Sequence, residues 1–258
     1  FTVFYANKTD CKQLDEKLSF KWQFLQNLNI LRDKIVGVHS KYLKSPNLEI
    51  LGGIVFGDDA VAPPDYIKAS FVNSGLLHIL AASGMNVAFI YGFWVFFMRR
   101  LRMPFKLTVL TGMGIILIYT FMTGLGASVI RAALMLLLVL AGKLIDRDAH
   151  SVSLLALVAM LMLMYNPAFI NDVGFQLSFI VTFGILTTAN IIFERFKDSK
   201  IPNWLTGAIL IPVVAQIWVA PIQMFYFNTF STYSVLANVF SMPFLSIVSF
   251  GGFISSIL

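Results

Sequence analysis

From residue 75 onward the chain is a succession of apolar runs, most of them close in length to the thickness of a bilayer. About 20 helical residues cross ~30 Å of hydrocarbon. Lipid offers a peptide backbone no hydrogen bonds, so each segment has to satisfy its own. The runs predict about seven spans, at roughly 75–98, 106–123, 128–142, 151–165, 173–193, 204–226 and 232–258; the third and fourth are short. Charge content agrees. Only 12% of the 258 residues are charged, against ~25% in a soluble domain, and the deficit lies after residue 70. The expected fold is all-α: a polytopic transmembrane helix bundle. Pro212, Pro221 and Pro243 fall inside the last two runs. They predict kinks or breaks there, because proline removes a helical hydrogen bond.

The first run is interrupted. Residues 75–87 read GLLHILAASGMNV, with His78, Ser83, Gly84 and Asn86 set among apolar neighbours. A polar, glycine-containing break at membrane depth has to face protein or a water-filled cavity. That makes it a candidate pathway or binding site. Ser83 and Asn86 are three apart and share a helix face; both satisfying the backbone freed at Gly84 and lining a cavity are open to them. His78 is expected to support the break structurally. No Cys or acidic residue stands at metal-ligand spacing from it, so no metal site is expected.

The basic residues give an orientation. Arg99, Arg100, Arg102 and Lys106 follow the first span, Lys143 and Arg147 the third, and Arg195, Lys197 and Lys200 the fifth. All three clusters then fall on one side. The opposite loops, 124–127, 166–172 and 228–232, carry no Lys or Arg. The basic side is predicted to be cytoplasmic, which leaves residues 1–70 extracytoplasmic. Most of the net charge of +6 is thereby a consequence of topology and not a sign of a nucleic-acid-binding face.

Residues 1–16 are polar and read as the tail of a preceding extracytoplasmic domain. From Leu18, the residues Trp22, Leu25, Leu28, Leu31, Ile35, Val38 and Tyr42 recur three or four apart among lysines and arginines. This spacing predicts an amphipathic helix lying at the interface, too charged to span. A short apolar segment at 47–56 and a helix starting after Pro63-Pro64 complete an interfacial region over 17–70, before a membrane domain at 71–258. The chain opens on Phe1 and stops inside an apolar run, and so reads as a fragment of a longer protein. The single Cys11 has no internal disulfide partner.

Arg131 opens the third span on its outer side. An arginine at the centre of a membrane helix costs roughly 2.5–3.5 kcal/mol on insertion scales. Snorkelling to the interface and a cationic wall suited to phosphate both remain open to it. Gln176 and Ser178 lie about 200° apart on a helix. Ser178 and Thr182 share a face, flanked by Phe175 and Phe179, which suits base stacking as well as plain packing. Gln216, Gln223, Asn228 and Asn238 add polar groups near Pro221 and Pro243. There is no P-loop, Rossmann glycine pattern or nucleophile elbow. The chain is expected to be no enzyme, to need no cofactor, and to rely on a partner or a gradient for any transport.

The stretch GLLHILAASGMNV resembles the signature of the ComEC-type competence proteins. Further matches come in order: Gly57-Asp58 after the short apolar helix, Arg131-Ala132 with Met135, Asn166-Pro167 followed by GFQLSF at 174–179, and LANVFSMPF at 236–244. The resemblance covers about residues 45–258. It implies an inner-membrane channel carrying single-stranded DNA into the cytoplasm during natural transformation. It also implies an upstream OB-like domain, often a downstream metallo-β-lactamase-like domain, and partners in the competence machinery: a DNA receptor and a cytoplasmic motor or single-strand-binding proteins. Many members carry histidine where this chain has Asn86. On this reading Arg131 meets phosphate, Ser83, Asn86, Gln176 and Ser178 line the path, and His78, Gly84 and Asp58 support it. The alternatives are a secondary transporter or exporter of a smaller anion using the same broken helix, disfavoured by the lack of an internal repeat, and a non-conducting membrane scaffold.

Overall fold

The computed structural model describes residues 20–57, 61–148, 150–196, 203–228 and 233–256. Among them there is no β-strand. Helix α1 (Phe20–His39) covers most of the predicted stripe and buries Leu28 against α2 and the end of α6, while Leu31 and Val38 of the stripe are exposed. Helices α2 (Asn47–Phe56) and α3 (Asp65–Asn73) follow, α3 starting directly after Pro64. The predicted interruption is present. Helix α4 (Leu77–Leu80) is a single turn, Ala81 and Ser83 are extended, and α5 runs over Gly84–Arg100.

The remaining helices are α6 (Phe105–Met122), α7 (Ala127–Leu144), α8 (Ser151–Tyr165), α9 (Val173–Gly184), α10 (Asn190–Phe196), α11 (Asn203–Phe227) and α12 (Ser234–Ser255). Five described helical stretches are long and apolar enough to cross a membrane: α6, α7, the α9–α10 run, residues 206–227 of α11, and α12. Helix α8 has 15 residues, about 22 Å of helix, and α5 has 17.

Of the kinks or breaks predicted at the prolines, the breaks do not occur. Helix α11 continues through Pro212 and Pro221, and α12 through Pro243. Membrane helices tolerate proline where neighbouring groups satisfy the freed carbonyls. The irregular turn sits elsewhere, in the π-helical segment 185–189 between α9 and α10. There the Trp218 indole lies so close to Gly184 that a Cβ would stand 2.3 Å from it. Glycine at 184 lets α9 and α11 approach, and the wider turn carries Thr188 to the indole nitrogen, 3.2 Å away.

Helix directions follow from the contacts. Gly84 meets Arg131 and Ala132, and Ser128 meets Ser178, so α5, α7 and α9 run the same way. Trp94 meets Thr108 and Thr111 on α6, and Gln176 meets Tyr226 on α11, so α6 and α11 run opposite to them. The cationic side chains 99–106, 143–147 and Arg195 accordingly lie at one end of the bundle, as their spacing predicts. Helices α5, α7, α9, α11 and α12 each pack on the next, and α12 returns to α5. This closes a ring, with α6 and α8 packed outside it.

Helix α12 departs from simple alternation, which would leave its C-terminal end with the basic loops. Instead Phe253 packs edge-on to Tyr119 and joins the cluster around Met122, at the opposite end of α6. Ser255 Oγ lies 3.0 Å from His39 Nε2. Gly252 permits this: a Cβ there would stand 2.8 Å from Val55. Helix α12 therefore crosses the ring obliquely. A Ser255→Cys variant of the Cys11-free protein is expected to react with an impermeant thiol reagent from the side on which Gly126→Cys reacts. Labelling from the side of Lys143→Cys would refute the oblique path.

Candidate functional site

The break and Arg131 meet. Ser83 is the N-cap of α5 but its side chain makes no capping bond. At Gly84 the backbone approaches α7 so closely that a Cβ would stand 2.9 Å from the Ala132 Cβ and 3.5 Å from Arg131 Nη2. Arg131 does not run outward along its own helix. Its guanidinium turns across the bundle, where Nη1 donates to Thr182 Oγ1. The Phe179 ring centroid lies 6.0 Å from its Cζ. Nε is buried and without a partner among the described residues. Arg32 pairs with Asp33 on α1, far along the chain from this guanidinium. A guanidinium thus lies beside the positive end of the α5 dipole, and no described carboxylate pairs with it.

The α7–α9 seam is polar along one line. Ser178 Oγ is 3.3 Å from Ser128 Oγ, and Thr182 Oγ1 donates back to the Ser178 carbonyl at 2.8 Å. Phe169, Phe175 and Phe179 flank it as successive ring contacts. Phe175 is in the apolar core with Val158 and Met162. Packing therefore occupies these rings in the conformation described.

Asn86 sits in the first turn of α5 and is 2% exposed. Its Nδ2 donates to the Ile54 carbonyl at 2.5 Å, and Tyr119 Oη donates to the Val55 carbonyl at 2.7 Å. Both acceptors belong to the last turn of α2, where a helix has no backbone donors left. Asn86 and Tyr119 supply them, and this anchors α2 inside the bundle. Gly53 lies under the Leu80 carbonyl, where a Cβ would stand 3.1 Å away. Gly57 ends α2 with φ +93°.

The other sequence candidates are dispersed. Gln176 donates to the Ile170 carbonyl at 2.8 Å and to Tyr226 at 3.1 Å, away from Arg131. His78 lies beside Asn238 of α12. Asp58 lies outside the described residues. No group of three metal-ligating side chains occurs among the described residues. Thr182 and Tyr119 join the site in the structure without being among the residues the sequence marks as its members. Thr182 carried a signal, being four residues after Ser178. Tyr119 carried none, since its partner is a backbone carbonyl 64 residues away.

A family model described as "Competence protein" matches residues 54–258. The chain is 28% identical over 250 residues to ComE operon protein 3 of Bacillus subtilis, covering 97% of this chain and 31% of that protein. It is 29% identical over 171 residues to an uncharacterized protein of Aquifex aeolicus, covering 66% of this chain and 40% of that one. An uncharacterized protein of Mycoplasma genitalium is 24% identical over 168 residues, 65% of this chain and 41% of the relative. The chain thus spans between about a third and two fifths of the length of these curated relatives. No solved structure matches it significantly.

Proposed function

The chain belongs to the competence protein family, and we propose that it forms the membrane path along which a single strand of DNA enters the cytoplasm during natural transformation. It is a multi-pass membrane protein, with five described stretches of spanning length and character. On this reading the membrane is the inner membrane and the basic end of the bundle is cytoplasmic, following the Lys/Arg bias. Residues 1–70 lie outside, and competence proteins on either face deliver and collect the strand. The chain itself catalyses nothing and needs no cofactor.

The observation that carries this reading is Arg131. A membrane arginine is costly, and here no described carboxylate offsets it. It faces an interrupted helix inside a ring of five helices. A polyanion passing through the ring supplies the missing negative charge one phosphate at a time. Ser83, Ser178 and Thr182 border this position and serve as lining. Asn86 and Gly84 hold α2 and α7 against the break, His78 supports it from α4 beside Asn238 of α12, and Gln176 with Tyr226 lies nearer the outer end. Asp58 keeps its proposed supporting role beside Gly57. The packed seams describe a closed conformation, so passage requires α5, α7 and α9 to separate around Arg131.

Liposomes holding the full-length protein test this directly. Single-stranded DNA is expected to reach the lumen under an applied gradient, while chloride and inorganic phosphate are excluded. Flux of small anions without DNA would establish the smaller-anion transporter instead. Passage of neither, under conditions where cells transform, would leave a scaffold.

A further inference from the structure

A second set of polar side chains, outside the Arg131 site, falls along α11 and α12. On α12, Ser234, Asn238, Ser241 and Ser249 lie on a single stripe, with Leu245 and Gly252 completing it. The stripe on the other side of the helix, Leu236, Phe240, Phe244 and Ile247, is exposed and apolar, as a lipid-facing surface is. Ser234 is 2% exposed. Its Oγ donates to Gln216 Oε1 at 2.5 Å, and Gln216 Nε2 donates to Gln223 Oε1 at 3.3 Å. Asn238 Nδ2 donates to the Ser234 carbonyl at 2.9 Å, and His78 stands beside Asn238.

Hydrogen bonding between helices accounts for part of this set. It leaves Ser249 unexplained. That residue is fully buried, and its hydroxyl has no partner among the described residues. A helical serine ordinarily falls back on the carbonyl four residues earlier, as Ser246 does with Met242. The Ser249 hydroxyl makes no such bond, and it lies on the same stripe of α12 as Asn238.

Resting on the DNA reading above, we propose that this amide and hydroxyl face of α11 and α12, closed by His78, is the wall that meets the nucleobases of the strand. Amides present a donor and an acceptor side by side, matching the edges of bases. The face is uncharged, so its contacts release as easily as they form, which conduction requires. Within the ring, α5, α7 and α9 bring the cation and α11 and α12 bring the amides. A single strand has the same division, with phosphates along one edge and bases along the other.

The test uses the wild-type full-length protein. A transforming strand carrying photoreactive thiothymidine is stalled during uptake and irradiated, and the crosslinked peptides are mapped. Crosslinks are expected in 203–227 and 234–255, at or next to Gln216, Gln223 and Asn238. Crosslinks confined to the peptides around Arg131 and Phe179 would overturn the inference and leave the channel standing. No crosslink anywhere in the chain would overturn the DNA reading itself. A Gln216→Leu/Gln223→Leu variant at normal membrane abundance is expected to lower uptake about fivefold, the effect of losing one neutral hydrogen bond. Unchanged uptake would also count against the amide wall.

Discussion

Replacing Arg131 with alanine is expected to lower transformation frequency by one to two orders of magnitude while the protein still accumulates in the membrane. A charge-assisted hydrogen bond contributes about 1.5–3 kcal/mol, and each 1.4 kcal/mol is a factor of ten. Folding should tolerate the change. Thr182 keeps its bond to the Ser178 carbonyl, and the variant removes a buried Nε that has no partner. Loss of an arginine from a membrane helix also removes an insertion cost. Arg131→Lys keeps the charge but not the planar fork, so it should fall between wild type and alanine. The measurement is transformation frequency normalised to membrane abundance by immunoblot. Wild-type frequency for Arg131→Ala at normal abundance would remove Arg131 from the path.

Replacing Asn86 with leucine is expected to destabilise the protein and to free α2. The Ile54 carbonyl loses its donor in a buried setting. The cost lies between ~0.6 kcal/mol, typical of a side-chain hydrogen bond within a membrane bundle, and ~1–3 kcal/mol for an orphaned buried carbonyl. The upper range applies because Ile54 is buried at the closely packed end of α2, where water cannot replace the lost donor. Tyr119→Phe removes the donor to Val55 and should act similarly. The two residues grip adjacent carbonyls of one turn, so their effects should be coupled and not additive. Asn86→His retains an N–H donor and should be the mildest change. Thermal melting of the full-length protein in detergent reads these three variants and the Asn86→Leu/Tyr119→Phe double variant. A melting temperature for Asn86→Leu equal to wild type would refute the anchoring role.

Much of the architecture was legible in the chain. The α2 bounds, the helix after Pro64, the break before Gly84 and the segment 151–165 follow from apolar run length and from glycine and proline. The shared end of the three basic clusters follows from counting spans. The continuity of α11 and α12 was not legible. Pro212, Pro221 and Pro243 weaken helices locally, and only neighbouring groups decide whether a helix bends or breaks. The π segment was hidden for the same kind of reason, since the bulk that Gly184 accommodates is Trp218, on another helix.

The site divides in the same way. Ser83, Gly84 and Arg131 are individually conspicuous, because polar groups in an apolar run are costly wherever they point. Sequence spacing placed Ser178 and Thr182 on one face, since a helix repeats every 3.6 residues. It could not choose between an Arg131 that snorkels and one that turns inward, nor show that Asn86 is spent on the end of α2. Composition and periodicity determined by themselves that this chain is a multi-pass helical bundle with one broken span, because hydrocarbon permits few other structures to so apolar a chain. Only the tertiary structure decided which polar groups meet. Such meetings depend on helix packing between residues as far apart as 51 positions for Arg131 and Thr182 and 216 for His39 and Ser255, and no local period in a sequence records them.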